Sequence, residues 1–450
     1  MTTPANAAPE WGPTFAFEDA PLRAFHVRVA VASTGGVFSD GFGLGIIGIA
    51  LGLATPQLGL TPLWLGLLGG GSLAGLFAGA LLTGPFADRY GRRPVFRTNM
   101  AVLAVLSLLQ YAATTAPQLL VLRLAIGFVL GTDYVVSKAM LVEFTPHRLR
   151  GRIVSTLSVA WAGGYASAYF VGYLLSSPDP LAWRWILLMS GVPCLLILPL
   201  RVTLPESPLW LVDHGDAAGA AHVVRASLGP SVRPPERSLV RPKTENRWGQ
   251  LLSPAWRQRT LVGCIFFTCQ VIPYFAIGTF ISQIMAALSL EGSRAGGLLY
   301  NASLLAGSIL GIVVIDRVPR RAFLAGTFWP AAAALLLLSA VPDLGPVPMI
   351  VLFAVFAGSV SAASNLCYVY LPELFPTDLR ASGIGMAIAA SRLGSAASTF
   401  GLPLVVAHSG PRAALGACVA VLVAGAVACQ LWAPETRHLR LGAALPDPAT

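Results

Sequence analysis

Twelve apolar runs, each long enough to cross a hydrocarbon layer, leave this chain very few ways to fold. They lie at 27–51, 61–84, 95–115, 119–143, 153–177, 182–202, 259–287, 295–315, 320–341, 346–371, 381–408 and 411–432. About 20 helical residues span a bilayer core, and a backbone inside lipid must satisfy its own hydrogen bonds. Barrel strands alternate in polarity and run only about 10 residues; these runs do neither. The expected fold class is an all-α membrane protein with twelve transmembrane helices. Composition agrees: 11% of the residues are charged and 55% hydrophobic, against about 25% charged in a soluble chain. Most of the surface must then face lipid, and disorder is excluded. The first twenty-odd residues are polar and the run that follows is too long for a signal h-region, so no cleaved signal peptide is expected.

The net charge of +10 suggests nucleic acid until the charges are placed. They cluster between the apolar runs, as the positive-inside rule requires. With both termini cytoplasmic, 24 of the 30 Lys and Arg fall on the inner side, three on the outer side (Arg184, Arg294, Arg412) and three within helices (Arg123, Lys138, Arg392). The nine between 201 and 259, Arg201 included, are counted on the inner side. The expected organisation is a cytoplasmic segment 1–26, a six-helix half 27–202, a cytoplasmic linker 203–258, a second half 259–432 and a cytoplasmic tail 433–450. The expected partners are a small-molecule substrate and the lipid bilayer of the cell membrane, with no nucleic acid, and the expected state is a monomer.

The chain nearly copies itself. EFTPHRLRG (143–151) is echoed by ELFPTDLRASG (373–383), GPFADRYGRR (84–93) by GIVVIDRVPRR (311–321), and PESP (205–208) by PETR (434–437). Glu143 and Glu373 stand 230 apart, Asp88 and Asp316 228, Glu206 and Glu435 229. Three near-equal offsets mean two six-helix halves of the same orientation, which suits a transporter with its site between them near the midplane.

On these residues the chain resembles the major facilitator superfamily, over everything except the first ~25 residues and the short tail. GPFADRYGRR is similar to its 2–3 loop signature. RLAIGFVLG (123–131) with Glu143, RGR (150–152), PESPLWL (205–211) and PETR resemble the sugar-porter branch. GTDYVVS (131–137) resembles the GxDYPxS stretch of proton-coupled phosphate and metabolite symporters, with Val135 in place of proline. SDGFGLGIIG (39–48) resembles the DGYD stretch of aromatic-acid symporters, with Gly43 in place of the second Asp. The resemblance implies the major facilitator fold, acids for proton coupling at Asp40 and Asp133, and a base at Arg392. It places Gln270 where the phosphate symporters carry a seventh-helix acid. It also implies a cytoplasmic gate of Gly84, Asp88, Arg89, Gly91, Arg92 and Arg93 with Glu143, Arg152 and Glu206, mirrored by Asp316, Glu373, Arg380 and Glu435, whose ion pairs close the inner side and break on inward opening.

An ionisable group inside a membrane helix is costly and marks function. Asp40, Asp133 and Arg392 fall within two or three residues of their helix midpoints, roughly 5 Å in depth, with Gln270 and Asn365 near that level. A carboxyl in a low-dielectric cavity can alternate between protonated and ionised forms, so Asp40 and Asp133 are the candidate proton carriers. Arg392 can hold a carboxylate or phosphate bidentately. The competing reading makes Asp133 and Arg392 a fixed pair locking the halves. Arg123 is placed with the substrate site, coupling and structural pairing both open. Lys138, roughly 140° around the helix from Asp133, cannot share its face. Tyr134, Trp161, Tyr165 and Tyr274 are placed around the substrate. The six His lie at helix ends or in loops and the six Cys in apolar runs without CxxC spacing, so neither a metal nor a disulfide framework is expected. No P-loop, GxSxG, HExxH or dinucleotide fingerprint stands in a suitable context; no enzyme is expected, and no cofactor beyond the proton as coupling ion. The reading is a proton-coupled symporter importing a small organic anion by alternating access. The alternatives are a sugar-like or neutral-metabolite carrier, suggested by PESPLWL and PETR, and an exporter of a toxic compound.

Overall fold

Every apolar run folds as helix, and four of the twelve break within their length, at Ile46, Met189–Ser190, Phe280 and Asn365. The computed structural model describes residues 15–235, 247–288, 293–315, 317–342, 344–375 and 377–436. In the first half α1 (Ala24–Gly45) passes through Ile46 into α2 (Ile47–Leu58), followed by α3 (Pro62–Tyr90), α4 (Arg92–Tyr111), α5 (Ala116–Phe144), α6 (Arg150–Leu175), α7 (Ala182–Leu188) and α8 (Gly191–Val202). Three short helices cross to the second half: α9 (Pro208–Asp213), α10 (Ala217–Leu228) and α11 (Arg247–Leu251). Then come α12 (Arg257–Thr279), α13 (Ile281–Ala287), α14 (Ser293–Ile315), α15 (Arg320–Ala340), α16 (Pro346–Ser364), α17 (Leu366–Glu373) and α18 (Thr377–Trp432). Gly410, at φ +82°, interrupts α18 and makes it two helices end to end. Among the described residues the only β-pairing is an isolated bridge, Phe15 to Val232, and nine stretches are long and apolar enough to cross a membrane.

Chain starts and stops follow capping chemistry. The Thr61 and Thr115 side chains accept from the backbone N–H of Trp64 and Gln118, which satisfies helix-end donors ahead of Pro62 and Pro117. Gly59 and Gly91 take positive φ (+58° and +95°) to end α2 and α3, the left-handed turn that glycine adopts without strain.

Close packing of small residues sets helix rotation, and with it which side chains face inward. A Cβ on Gly41 of α1 would strike the Trp161 carbonyl, and one on Gly164 of α6 the Phe38 carbonyl. The two backbones therefore touch, placing Asp40 and Trp161 at one depth on adjoining helices. The glycine run of GLLGGGS sits inside α3 and abuts α18: Gly66 and Gly70 lie against Phe400. The two halves meet along α3 with α18 and along α6 with α14. Outward-facing Val121, Leu196, Val347 and Leu431 are exposed, an apolar belt that only lipid covers favourably. A second apolar cluster around Phe25, Phe96, Phe144 and Val224 ties α10 to the arginine-rich end of the first half, here called the basic end.

Candidate functional site

A cavity lies where α5 and α6 of the first half face α12, α14, α16, α17 and α18 of the second. It is lined by Tyr134, Ser158, Trp161, Ala162, Phe267, Gln270, Val271, Tyr274, Phe275, Ser308, Ser361, Ser364, Cys367, Tyr368 and Arg392. Its one lining charge is Arg392, whose guanidinium lies 5.7–5.8 Å from the ring centroids of Tyr134, Phe267 and Phe275, within cation–π range. Arg392 is 8% exposed and its Nε has no hydrogen-bond partner; among the described residues no carboxylate pairs with it or lines the cavity. Trp161 stacks on Tyr165 at 5.2 Å and meets Tyr274 and Phe275 at 5.6 and 5.7 Å, forming an aromatic wall. The Gln270 amide donates to the Val360 carbonyl and to Ser364 Oγ, at 2.9 and 2.8 Å, while its Oε1 is left without a donor. The arrangement can therefore hold a planar anion: Arg392 for the negative group, aromatic faces for the ring and Gln270 Oε1 for a donor.

Five of the sequence-placed substrate residues line this cavity: Tyr134, Trp161, Gln270, Tyr274 and Arg392. Tyr165 stands behind Trp161. Asn365 closes the floor instead, where Ser158 Oγ of the first half donates to its Oδ1 and its Nδ2 donates to the Ser308 carbonyl at 3.0 Å. Arg123 is elsewhere, fully buried, with Nη1 donating to the Gly43 carbonyl at 3.2 Å. Lys138 lies over the Tyr368 ring, 5.2 Å from its centroid, linking the halves below the cavity. Phe267, Phe275, Cys367, Tyr368 and the four serines were not singled out from sequence; only Ser361 and Ser364, three apart on one helical face, left a readable pattern.

The two aspartates sit in the first half, away from that cavity, and part company. Asp133 is wholly buried and pairs with Arg201, not with Arg392. Arg201 Nη1 bonds Asp133 Oδ1, and Nη2 bonds Oδ2 at 3.0 Å and Ser137 Oγ at 2.8 Å. Nε donates to the Ala32 carbonyl at 3.1 Å, and the guanidinium stacks on Phe96 at 4.1 Å. Ser137 Oγ also donates to Asp133 Oδ2 at 2.8 Å. The pair is thus fully satisfied and joins α1, α4, α5 and α8. Gly36 makes room for it, since a Cβ there would stand 2.6 Å from the Arg201 Cζ. By position Arg201 counts with the cytoplasmic arginines, near the end of its apolar run; inside α8 it is instead fully buried. One turn along α1 from Gly36, Asp40 is 2% exposed, lies within electrostatic reach of both Asp133 and Arg201, and has no hydrogen-bond partner for either oxygen among the described residues.

The comparisons with known proteins decide the family. A model described as sugar (and other) transporter matches residues 29–444. The inner membrane metabolite transport protein YgcS of Escherichia coli K12 is 40% identical over 427 residues, 95% of either chain. The chain belongs to the sugar (and other) transporter family of the major facilitator superfamily. It is similar as well to the niacin transporter NiaP of Acinetobacter baylyi, 26% identical over 402 residues, which are 87% of this chain and 89% of that one. The xylose transporter XylE from E. coli, in a partially occluded inward open conformation, superposes with a TM-score of 0.78 at 18% identity, over 93% of this chain and 100% of that one. This family member is a transporter rather than an enzyme, and a multi-pass protein of the cell membrane.

At the basic end of this transporter the repeated motifs build the same knot twice. The Glu206 carboxylate accepts from the backbone N–H groups of Arg92 (3.1 Å) and Arg93 (3.0 Å) at the start of α4, while the Arg92 guanidinium meets Asp88 at 3.1 Å and Glu143 at 3.3 Å. In the second half Glu435 accepts from Arg320 and Arg321 at 3.0 and 3.1 Å, and Arg320 pairs with Glu373 at 3.1 Å. Each glutamate sits where a helix N-terminus favours an anion, and Gly91 leaves the space that Glu206 fills. Every partner named lies in the same half as the motif it holds, because each motif copy folds onto its own helix start. Arg89 and Arg152 are exposed and enter neither knot, and a Cβ on Gly84 would meet open space. Asp316 and the side chain of Arg380 lie outside the described residues. Glu206→Ala is expected to lower stability by about 1–2 kcal/mol, the worth of a lost helix cap with its dipole contribution, read as a fall in melting temperature of the purified protein in detergent.

Proposed function

We propose that the protein is a proton-coupled importer of a small planar carboxylate, an aromatic or heteroaromatic monocarboxylic acid in the first instance. The observation that carries this reading is the unpaired Arg392 among aromatic faces in a cavity whose described lining has no carboxylate. A buried cation without a counter-ion is costly, and an arriving carboxylate relieves that cost with charge-assisted, bidentate hydrogen bonds. The likeness to a niacin transporter supports the same substrate class.

The twelve-span topology is part of this proposal. Dividing α18 at Gly410 adds one span to the nine apolar stretches, and α4 and α6, more polar along their length, supply two more. Both termini, and the basic end with them, face the cytoplasm, in keeping with the arginine count. Alternating access then proceeds by rocking the halves about the cavity.

Asp40 is the proposed proton carrier. Asp133 is saturated by Arg201 and serves as its fixed counter-ion, whereas Asp40 is buried beside that pair with both oxygens free of partners. In proteoliposomes, an imposed inward proton gradient is expected to drive accumulation of a labelled aromatic carboxylate above its equilibrium level. Uptake indifferent to that gradient would overturn the coupling. Asp40→Asn is expected to abolish gradient-driven accumulation while leaving substrate exchange within about threefold of wild type, because the substituted group can no longer exchange a proton.

A further inference from the structure

We propose that the seam between the halves at the basic end carries a site for an anionic glycerophospholipid, with His26 as its hydrogen-bond donor. An open groove runs there along the membrane-facing surface, walled by Val27 and Val31 of α1, Ile153 and Val159 of α6, and Ile312 and Val313 of α14. All three helices present that wall within about three turns of the end at which α1 and α6 begin and α14 finishes, a depth of roughly 15 Å at 1.5 Å per residue, or one leaflet. An apolar groove open to a bilayer fills with hydrocarbon, so the occupant is a lipid chain.

His26 makes the site more than apolar. Its Nδ1 accepts the Arg23 backbone N–H at 3.0 Å, so the ring proton resides on Nε2. His26 is among the residues lining the groove, and its Nε2, buried on a side chain 4% exposed, has no hydrogen-bond partner among the described residues. A buried donor left unmade is costly, and the ester or phosphate oxygens of a phospholipid are the acceptors that arrive with a chain of this length. Arg23, Arg28 and Arg152 stand at the same end of α1 and α6, without a carboxylate partner among the described residues, which favours an anionic head over a zwitterionic one. This also gives Arg152, which takes no part in the knots, a place to act. Because α1 and α6 belong to one half and α14 to the other, rocking changes the groove's width. A bound chain therefore favours the conformation in which the groove fits it.

The cytoplasmic placement of this leaflet rests on the proposed orientation; the site itself does not. The purified full chain in detergent is titrated with phosphatidylglycerol or phosphatidylcholine, and thermal unfolding and native mass spectrometry are followed together. Phosphatidylglycerol is expected to raise the melting temperature by several degrees more than phosphatidylcholine and to survive as one retained molecule. His26→Leu is expected to weaken retention of either lipid, and Arg152→Gln to remove the preference for the anionic one. Val31→Trp, at an exposed position that tolerates bulk, is expected to fill the groove and abolish both effects even if His26→Leu does not fold. Equal response to the two lipids, or an unchanged response in Val31→Trp, would overturn the site. Separately, labelling of an Arg152→Cys variant by a membrane-impermeant maleimide from outside intact cells would overturn the orientation while leaving the detergent result standing.

Discussion

Arg392→Gln is expected to lower uptake of an aromatic carboxylate about 100-fold, with little change in the melting temperature of the empty protein. Removing one partner of a buried, hydrogen-bonded charge pair costs about 2–5 kcal/mol, and a loss near 3 kcal/mol corresponds to roughly two orders of magnitude in affinity. Among the described residues Arg392 meets no carboxylate, so its loss falls on the ligand rather than on the fold. Arg392→Lys tests geometry against charge. A lysine keeps the cation but not the planar fork, and it is expected to recover only part of the loss. The measurement is initial uptake rate in proteoliposomes beside ligand-induced thermal stabilisation. Uptake of the acid by Arg392→Gln at the wild-type rate would remove Arg392 from the site and favour a neutral-metabolite carrier.

Arg201→Ala is expected to have the opposite signature, a loss of about 3–5 kcal/mol in stability. The substitution leaves the Asp133 carboxylate buried without its cation, and breaking a buried pair from one side costs this much. It also releases the Ala32 carbonyl and unstacks Phe96, so four helices lose a common anchor. The double variant Arg201→Met with Asp133→Leu removes both charges and is expected to recover much of the stability, because well-packed apolar side chains often replace a buried pair at little cost. Chemical unfolding of the purified protein, with both single variants and the double, isolates the pair energy. A single variant as stable as wild type would show that the pair is not an anchor.

The contrast between these two arginines marks how far the residues could be read in advance. Arg392 was legible because a charge in the middle of an apolar run is costly enough to announce itself. Arg201 stands near the end of its run, where arginines ordinarily reach back to water, and only its burial in α8 distinguishes it. The repeated acids were legible as a pair of copies, since Glu206 and Glu435 occupy matching positions in the two halves. Their partners were not, because a backbone N–H at a helix start carries no letter in the sequence. The aromatic wall was half legible: Trp161 and Tyr274 drew attention, whereas Phe267 and Phe275 look like any membrane-facing phenylalanine until the rotation of α12 is known.

Apolar length and charge placement pointed to a membrane-embedded helical protein, internal repetition to two similar halves, and the loop and helix motifs, by resemblance, to the transporter family. Those properties depend on each segment's own composition, or on comparing one segment with another, and need no knowledge of packing. Which acid meets which base was settled only in three dimensions. Asp133 and Arg201 are 68 residues apart, and nothing along the chain records that α5 and α8 turn those faces toward each other. Glycine contacts such as Gly36 under the Arg201 guanidinium set that rotation to within a fraction of a helical turn. So one aspartate is held by its arginine, while the other is left buried and unpartnered beside them.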